Sequence, residues 1–158
     1  MKIFTNKNNL INEISGLRDL GFVPTMGALH KGHLSLINKA KKKSKKVLVS
    51  IYVNAKQFDS NKDYKKYPRY MNKDIALLKE KKIDYLYIPN DEDIYSFKVK
   101  KTIYLDKFSK HLCGKFRPGH FKAVVKVVNR FLEIIKPKTI YLGMKDFQQL
   151  TLIKLHII

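Results

Sequence analysis

The sequence predicts an α/β fold, a Rossmann-like parallel sheet with helices on both faces. Short apolar runs alternate along the chain with segments whose apolar residues recur at helical spacing. One run, residues 47–53, is almost continuously apolar and rich in β-branched residues, which is typical of a strand covered on both faces. Strands that alternate with helices form right-handed βαβ units and therefore a parallel sheet. The chain has 158 residues, 44% of them hydrophobic, which is enough for one such domain over 1–158.

Two helices and two strands are predicted in the first half of the chain. A helix over 8–20 has apolar residues at helical spacing, namely Leu10, Ile14 and Leu17. A short strand over 22–24 follows and ends at a proline. The second helix, over 32–46, ends in several lysines, which suit the negative carboxyl end of its dipole. The strand over 47–53 comes next.

The same alternation continues in the second half. The predicted elements are helix 71–82, strand 83–88, a peripheral strand 98–105, helix 119–136, strand 139–142 and a last helix from about Asp146. The acidic cluster over 91–93 is predicted to be a solvated turn. Because ligands of parallel sheets bind at the carboxyl ends of the strands, the functional residues are expected just after the strands.

The charge of the chain is strongly positive. There are 33 basic and 13 acidic residues, for a net charge of +20, but only four of the basic residues are arginine. A dedicated nucleic-acid surface usually uses arginine for bidentate contacts with phosphate and guanine. The composition therefore favours lysine-rich solvated faces with a nonspecific attraction to polyanions. It predicts no specific nucleic-acid partner.

The composition also points to a cytoplasmic protein. No apolar run approaches the roughly 18 residues that a membrane span needs, so no membrane association is expected. The first residues do not resemble a secretion signal. The one cysteine, Cys113, can form neither an internal disulfide nor a cysteine zinc cluster. A reducing compartment is the natural setting for such a chain.

The segment after the first strand carries the clearest chemical pattern. His30 and His33 are three residues apart, with Gly32 between them, at a junction from strand to helix. A helix N-terminus is a ready anion site, and two imidazoles there can donate hydrogen bonds to phosphate oxygens. Gly32 would let a flat base or sugar approach the backbone. Metal ligation and two ordinary surface histidines remain alternatives at this point, although no third metal ligand is nearby.

Five segments together resemble the pantothenate synthetase (pantoate–β-alanine ligase) family of the H-x-G-H nucleotidyltransferase superfamily. They occur in the family's order and are residues 23–37, S-I-Y-V-N-A-K-Q-F over 50–58, Tyr67-Pro68-Arg69 with Asp74, L-C-G-K-F-R-P-G-H-F over 112–121, and G-M-K-D-F-Q-Q-L over 143–150. Five matches in order are poorly explained by chance.

The resemblance implies an enzyme, an AMP-forming acid–amino-acid ligase of pantothenate biosynthesis. ATP and pantoate would give pantoyl adenylate and pyrophosphate, and β-alanine would then displace AMP to give pantothenate, a precursor of coenzyme A. ATP is therefore expected as a substrate, with Mg²⁺ to screen the phosphate charge. A homodimer joined through the nucleotide-binding domains is also implied by the resemblance.

Residue by residue, the resemblance also implies a site. The ATP-binding positions would be Met26, Gly27, Ala28, Leu29, His30, Lys31, Gly32, His33, Gly143, Met144, Lys145 and Asp146. By the same resemblance His33 would be the catalytic general acid. Its imidazole would offset the charge that builds as pyrophosphate leaves. Lys145 would place a point positive charge near the phosphates.

The resemblance assigns pantoate to two amides. Gln57 and Gln149 match the family's pantoate-binding glutamines, and a neutral amide can hold hydroxyls and a carboxylate without neutralising the nucleophile. Asn54 is expected to help order the loop of Gln57. Val124, Val127 and Val128 match apolar positions near the dimethyl carbon, although core packing explains them equally well. Arg117 and His120 match the family motif, and their role, loop positioning or ligand contact, stays open.

The chain departs from the family pattern at several positions. Ala55 stands in place of a proline, which is expected to loosen the loop that presents Gln57. Ala123 and Lys126 stand where the family favours glycine and threonine, so the substrate wall is expected to be more crowded. The family also continues into a second, smaller domain that closes over ATP. The sequence therefore predicts the N-terminal nucleotide- and pantoate-binding domain without that lid, as a fragment or a truncated product.

Three alternatives to an active ligase remain from the sequence. The chain could be a remnant that binds ATP or pantoate without turnover. It could be another H-x-G-H nucleotidyltransferase, against which the paired glutamines argue. It could also be a basic nucleic-acid-binding module, against which the scarcity of arginine argues.

Overall fold

The computed structural model describes residues 1–96 and 102–157. The strands in these ranges are β1 (Lys2–Phe4), β2 (Leu20–Thr25), β3 (Lys46–Ile51), β4 (Tyr85–Tyr87) and β5 (Thr139–Ile140). The helices are α1 (Lys7–Ile14), α2 (Lys31–Lys43), α3 (Asn61–Lys66), α4 (Met71–Glu80), α5 (Asp91–Tyr95), α6 (Cys113–Phe116), α7 (His120–Ile135) and α8 (Phe147–Ile157). None of these helices is both long and apolar enough to cross a membrane.

The five strands form one parallel sheet in the order β1-β4-β3-β2-β5. The predicted fold class is therefore confirmed. From β2 the chain moves to β3 on one side, and it later returns to β5 on the other side of β2. In open α/β sheets this change of direction leaves a crevice at the carboxyl ends of the strands, which is where ligands bind.

Alternate residues of the central strands face two separate layers of helices. Phe22 and Leu48 lie in the apolar cluster with α1 and α7, whereas Val23 and Val49 lie in the cluster with α2 and α4. All four side chains are fully buried. This follows from the period of two along a strand, and each buried side chain of this size contributes roughly 1.5–3 kcal/mol to stability.

Several element boundaries differ from the predictions. Helix α1 ends at Ile14 rather than at residue 20, because Ser15 leaves the helical region and Gly16 has a φ of 81°. Leu17 still packs against the core from outside the helix. The predicted strand over 98–105 lies partly outside the described residues, and 102–105 have no regular secondary structure. Strand β1 is a further element that apolar patterning did not predict.

The prediction of a solvated turn over 91–93 is wrong. These residues are the first turn of α5, which Asn90 caps by accepting a hydrogen bond from the Asp93 N–H at 2.8 Å. Asp93 is only 4% exposed, and it accepts hydrogen bonds from the Tyr87 hydroxyl at 3.0 Å and from the Lys7 N–H at 3.2 Å. Partners from two other elements, β4 and α1, thus stabilise a carboxylate in the interior.

Candidate active site

A cleft of about 470 Å³ opens where β2, β3 and β5 end. The residues that line it come from the start of α2, from the loop after β3, from α7 and from the segment after β5. Five of the polar groups predicted from the sequence line this one cleft, namely His30, His33, Gln57, Lys145 and Gln149. Distant segments therefore bring their polar side chains to a single space.

The loop between β2 and α2 is anchored by a buried carboxylate. Asp74 of α4 is 2% exposed and accepts hydrogen bonds from the backbone N–H groups of Ala28 and Leu29, both at 2.8 Å. Gly27 and Ala28 have φ values of 78° and 50°, so the backbone turns through the left-handed region here. For a residue such as alanine this conformation persists only where the surroundings enforce it. The two charge-assisted hydrogen bonds to Asp74 supply that constraint.

This anchoring separates the predicted nucleotide loop into two parts. Met26, His30, Gly32 and His33 line the cleft, whereas Gly27, Ala28, Leu29 and Lys31 do not. Ala28 and Leu29 give their N–H groups to Asp74, and the Gly27 N–H donates to the Thr25 hydroxyl at 3.2 Å. These three residues shape the loop beneath the cleft.

His30 caps the N-terminus of α2 with its ring. Its Nδ1 accepts a hydrogen bond from the Gly32 N–H at 3.1 Å, so Nε2 carries the proton of the neutral ring. A Cβ on residue 32 would lie 2.9 Å from His30 Cε1. An alanine at this position would therefore require the capping ring to shift, in addition to narrowing the close approach of a ligand that the sequence suggests.

His33 stands beside His30, with the ring centroids 4.1 Å apart. Its Nδ1 is buried and, within the described part of the chain, has no hydrogen-bond partner. Burial lowers the pKa of His33, His30 and Lys145 lower it further, and Asp74 and Asp146 oppose the shift. The neutral ring therefore predominates at pH 7. An anion placed beside these groups would favour the protonated ring instead.

The segment after β5 faces the start of α2 across the cleft. Gly143 precedes a short 3₁₀ turn, Met144–Asp146, and all four residues line the cleft. Lys145 and Asp146 are exposed and close enough to His33 to affect its pKa in opposite directions. The helix start and Lys145 together give this end of the cleft a positive field.

The two neighbouring glutamines of α8 have different surroundings. Gln149 lines the cleft. Gln148 is 7% exposed and is used inside the protein: its Oε1 accepts from the Cys113 N–H at 3.1 Å, and its Nε2 donates to the carbonyls of Phe108 and His111 at 2.9 and 2.7 Å. Gln148 thus ties α8 to the segment around α6 and leaves Gln149 facing the ligand space.

Gln57 is held in the loop after β3 by its backbone and by its side chain. Its carbonyl oxygen accepts hydrogen bonds from His120 Nδ1 at 2.7 Å and from Arg117 at 3.1 Å. Arg117 also bonds His120 Nε2 at 3.2 Å and pairs with Asp59 at 2.7 Å. Burial lowers the pKa of His120, which suits the neutral tautomer that donates from Nδ1. Arg117 and His120 thus hold this loop, and neither lines the cleft.

Helix α7 gives the cleft an apolar wall. Val124, Val127 and Val128 on α7 line it, and each is more than 90% buried. The same face of α7 therefore packs on the core and lines the cleft. Ala123 is part-buried and adjacent to this wall in sequence, whereas Lys126 lies with its ammonium 5.5 Å from the Tyr95 ring.

Sequence reasoning missed two residues that organise the site. Asp74 was identified only as a motif position, yet it lies four residues before the buried Leu78 and hence on the buried face of α4. A carboxylate on such a face was the available signal for an anchoring role. Tyr95 donates a hydrogen bond to Asn54 Oδ1 at 2.6 Å, and no local pattern marks Tyr95, because this partner is 41 residues away.

Potential metal ligands are sparse among the described residues. In residues 1–96 and 102–157 there is no group of three or more His, Cys, Asp or Glu side chains that could hold a metal ion. Metal ligation by the two histidines, an alternative left open by the sequence, has no third protein ligand among these residues.

A parallel sheet of this order, with a helix that starts at the switch in strand direction, is a nucleotidyltransferase-like α/β fold. The family model for pantoate–beta-alanine ligase matches residues 2–157. The chain belongs to the pantoate–beta-alanine ligase family. This confirms the resemblance and disfavours both another nucleotidyltransferase and a nucleic-acid-binding module.

Individual relatives agree with the family match. The chain is 43% identical over 154 residues to the pantothenate synthetase of Pseudothermotoga lettingae, covering 98% of this chain and 55% of the relative. The crystal structure of pantothenate synthetase from Thermus thermophilus matches with a TM-score of 0.92 at 35% identity, covering 99% of this chain and 57% of that chain.

A third relative was solved with ligands. The pantoate–beta-alanine ligase of Francisella tularensis, complexed with beta-gamma ATP and beta-alanine, matches with a TM-score of 0.91 at 42% identity, covering 99% of this chain and 62% of that chain. The chain thus spans about half the length of the curated relatives it matches.

Proposed function

We propose that this chain binds ATP and pantoate in the cleft and carries the chemistry of an AMP-forming pantoate–β-alanine ligase. The observation that carries the proposal is the mixed lining of the cleft. The start of α2, two imidazoles and Lys145 line it together with two amides and an apolar face of α7. A triphosphate suits the first set of groups, which we assign to a nucleotide end, and a small branched hydroxy acid suits the second, which we assign to an acid end.

The nucleotide end fits an anionic ligand. The start of α2 lines the cleft with Gly32 and His33. His30 has its Nε2–H free of the capping bond. Lys145 approaches from the opposite side as a flexible point charge. These groups would contact the phosphates of ATP, and a relative of 42% identity was solved in complex with beta-gamma ATP.

The acid end fits pantoate. Its carboxylate and two hydroxyls need hydrogen bonds that leave the carboxylate charged, which neutral amides such as Gln57 and Gln149 provide. Its geminal methyl groups need an apolar surface, which Val124, Val127 and Val128 present from α7. This arrangement would hold the carboxylate in line with the α-phosphorus and supply part of the rate.

The proposed reaction has two displacements. A pantoate carboxylate oxygen attacks the α-phosphorus of ATP, the bond to the bridging oxygen breaks, and pyrophosphate leaves. The amine of β-alanine, after losing a proton from its ammonium form, attacks the acyl carbon, and AMP leaves with the bonding electrons. His33 would donate a hydrogen bond or a proton to the phosphate oxygens as negative charge develops.

We propose Mg²⁺ as the metal that accompanies ATP. This ion usually keeps several waters and is held by one or two carboxylates plus phosphate oxygens, so it needs no cage of protein ligands. Asp146 lines the cleft and is exposed, which fits one such carboxylate. The ion would supply charge screening for the phosphates.

The remaining assignments are also proposals. Residues 1–158 would act as the nucleotide- and pantoate-binding domain, and two copies would associate through it, as the family resemblance implies. A cytoplasmic location fits a biosynthetic reaction that consumes ATP, as well as the single exposed cysteine.

Gly32→Ala is expected to weaken ATP binding by about tenfold while leaving the fold intact. The added Cβ would lie 2.9 Å from His30 Cε1, so the ring must shift from its capping geometry, although alanine itself suits a helix. Isothermal titration calorimetry with ATP measures the effect. Asn38→Ala, at an exposed position of the same helix outside the cleft, is the matched control. Equal ATP affinities for Gly32→Ala and wild type would contradict the role given to the cap.

The central test is product formation. The purified chain with ATP, Mg²⁺, pantoate and β-alanine is expected to release AMP, and omission of either pantoate or β-alanine should reduce that release to background. Chromatographic separation of AMP from ATP and ADP measures it. Binding of ATP and pantoate without AMP above background would support a remnant that binds without turnover. A salt-sensitive affinity for DNA greater than that for ATP would support a nucleic-acid-binding module.

A further inference from the structure

The amide of Gln57 has two chemically different ends, and only one can face the ligand. An NH₂ end donates a hydrogen bond to a hydroxyl or carboxylate oxygen, whereas a C=O end repels a carboxylate. In the structure Gln57 Nε2 points to Met26 Sδ at 2.9 Å, and both residues line the cleft. A thioether sulfur is a weak acceptor, so a ligand oxygen can replace Met26 Sδ as the acceptor of the hydrogen bond from Gln57 Nε2.

The orientation of Gln57 follows from its neighbour Asn54. Gln57 Oε1 accepts a hydrogen bond from Asn54 Nδ2 at 3.2 Å. Asn54 is 1% exposed, and its Oδ1 accepts from the Lys56 N–H at 3.2 Å and from the Tyr95 hydroxyl at 2.6 Å. With two donors on Oδ1, the Asn54 amide has to present its NH₂ end to Gln57.

We propose that Tyr95 is a positioning residue that sets the orientation of both amides, so that Gln57 presents its NH₂ end to pantoate. The proposal rests on the proposed function for the identity of the ligand. Tyr95 acts through the hydrogen-bonded series Tyr95, Asn54, Gln57, and it is not among the residues that line the cleft. Its hydroxyl gives the shortest hydrogen bond of the series and thereby fixes the oxygen end of Asn54.

The surroundings of Tyr95 keep its hydroxyl a donor. Burial, reinforced by the charge of Asp91, raises the pKa of Tyr95 to about 12. The Lys56 ammonium lies 3.8 Å from the centre of its ring, which holds the ring against the loop that carries Gln57. A protonated hydroxyl on a fixed ring is what the orientation of the two amides requires.

Tyr95→Phe removes the hydroxyl and keeps the ring. Of the two donors to Asn54 Oδ1, the Lys56 N–H at 3.2 Å then remains, so the Asn54 amide is held less firmly. In part of the population Asn54 and Gln57 turn over together, and Gln57 then presents an oxygen to the pantoate carboxylate. Pantoate binding is expected to weaken about tenfold, the effect of one lost hydrogen bond, while ATP binding changes less than about twofold. Calorimetric titration of the 158-residue chain with pantoate and separately with ATP measures this difference. A purely structural role would weaken both.

Tyr87→Phe is the matched control. The Tyr87 hydroxyl also donates to a side-chain oxygen, that of Asp93 at 3.0 Å, but Tyr87 is fully buried in the core and outside the cleft. This variant is expected to unfold at a lower temperature with unchanged pantoate affinity. Equal losses of pantoate affinity in Tyr87→Phe and Tyr95→Phe would overturn the proposal.

A measurement without ligand separates this proposal from the proposed function. In ¹H–¹⁵N spectra, Tyr95→Phe is expected to shift the side-chain amide signals of Asn54 and Gln57, and Tyr87→Phe is expected to leave them in place. If the wild-type chain fails to bind pantoate, the proposed function fails, yet these shifts would still support the positioning role. Unchanged amide signals in Tyr95→Phe would overturn that role even if pantoate binds.

Discussion

Replacing Asp74 with asparagine is expected to lower the free energy of unfolding by about 3 kcal/mol. The carboxylate is almost completely buried and accepts a hydrogen bond on each oxygen, from the N–H groups of Ala28 and Leu29. Asparagine keeps the shape but has one acceptor oxygen, so its NH₂ group faces one of these donors. The N–H of Ala28 or Leu29 is then buried against another donor. This lowers the free energy of unfolding by more than the loss of one hydrogen bond would.

Chemical denaturation measures this loss, with Asp63→Asn as a matched variant. Asp63 is exposed and accepts from the Ser60 hydroxyl, so its replacement is expected to change the unfolding free energy by less than about 0.5 kcal/mol. ATP binding by Asp74→Asn is expected to weaken as well, because the same loop leads into His30 and His33. A stable Asp74→Asn chain with normal ATP affinity would show that the loop holds its left-handed turn without the carboxylate.

His33→Ala is expected to reduce AMP formation at least about 100-fold, the usual loss when one preorganised donor to a developing anion is removed. The His33 ring lies beside His30, and both line the same cleft as Lys145, where the phosphates are proposed to bind. Alanine removes the donor and leaves the α2 start otherwise unchanged. His111→Ala, at an exposed position outside the cleft, is the control and should keep wild-type turnover.

The pKa of His33 adds a pH signature to the same variant. Burial lowers this pKa below its ordinary value of 6.5, so the unfolded chain takes up a proton more readily than the folded chain. Stability contributed by the neutral ring is therefore present above 6.5 and is lost as the pH falls from there through the lowered pKa of the folded chain. Bound phosphates would favour the protonated His33 ring over the neutral one. ATP binding is therefore expected to be accompanied by proton uptake near neutral pH.

Calorimetry of ATP binding in two buffers of different ionisation enthalpy detects that uptake. His33→Ala is expected to show less of it, and its stability should fall less steeply below the ordinary histidine pKa. His120, whose pKa is also lowered by burial, contributes to the same acid sensitivity in both chains. Identical proton uptake by the wild type and His33→Ala would contradict a phosphate-facing role for this ring.

Much of the fold could be predicted because its signals are local. The apolar run over 47–53 became β3 at Lys46–Ile51, and the apolar face over 119–136 became α7 at His120–Ile135. The end of α1 could not be placed, since Leu17 continues the helical spacing but packs on the core from outside the helix. Asp93 was misjudged for a related reason, because its burial depends on Tyr87 and Lys7.

The sequence by itself determined the parallel α/β architecture and the residue types that reach the strand ends, because apolar periodicity and the motif segments are properties of neighbouring residues. Only the tertiary structure decided which other residues hold these strand-end residues in place. Asp74 meets Ala28 across 46 positions, Tyr95 meets Asn54 across 41, and His120 meets Gln57 across 63. Such partners become neighbours only when the sheet brings distant loops together, so no local pattern carries their pairing.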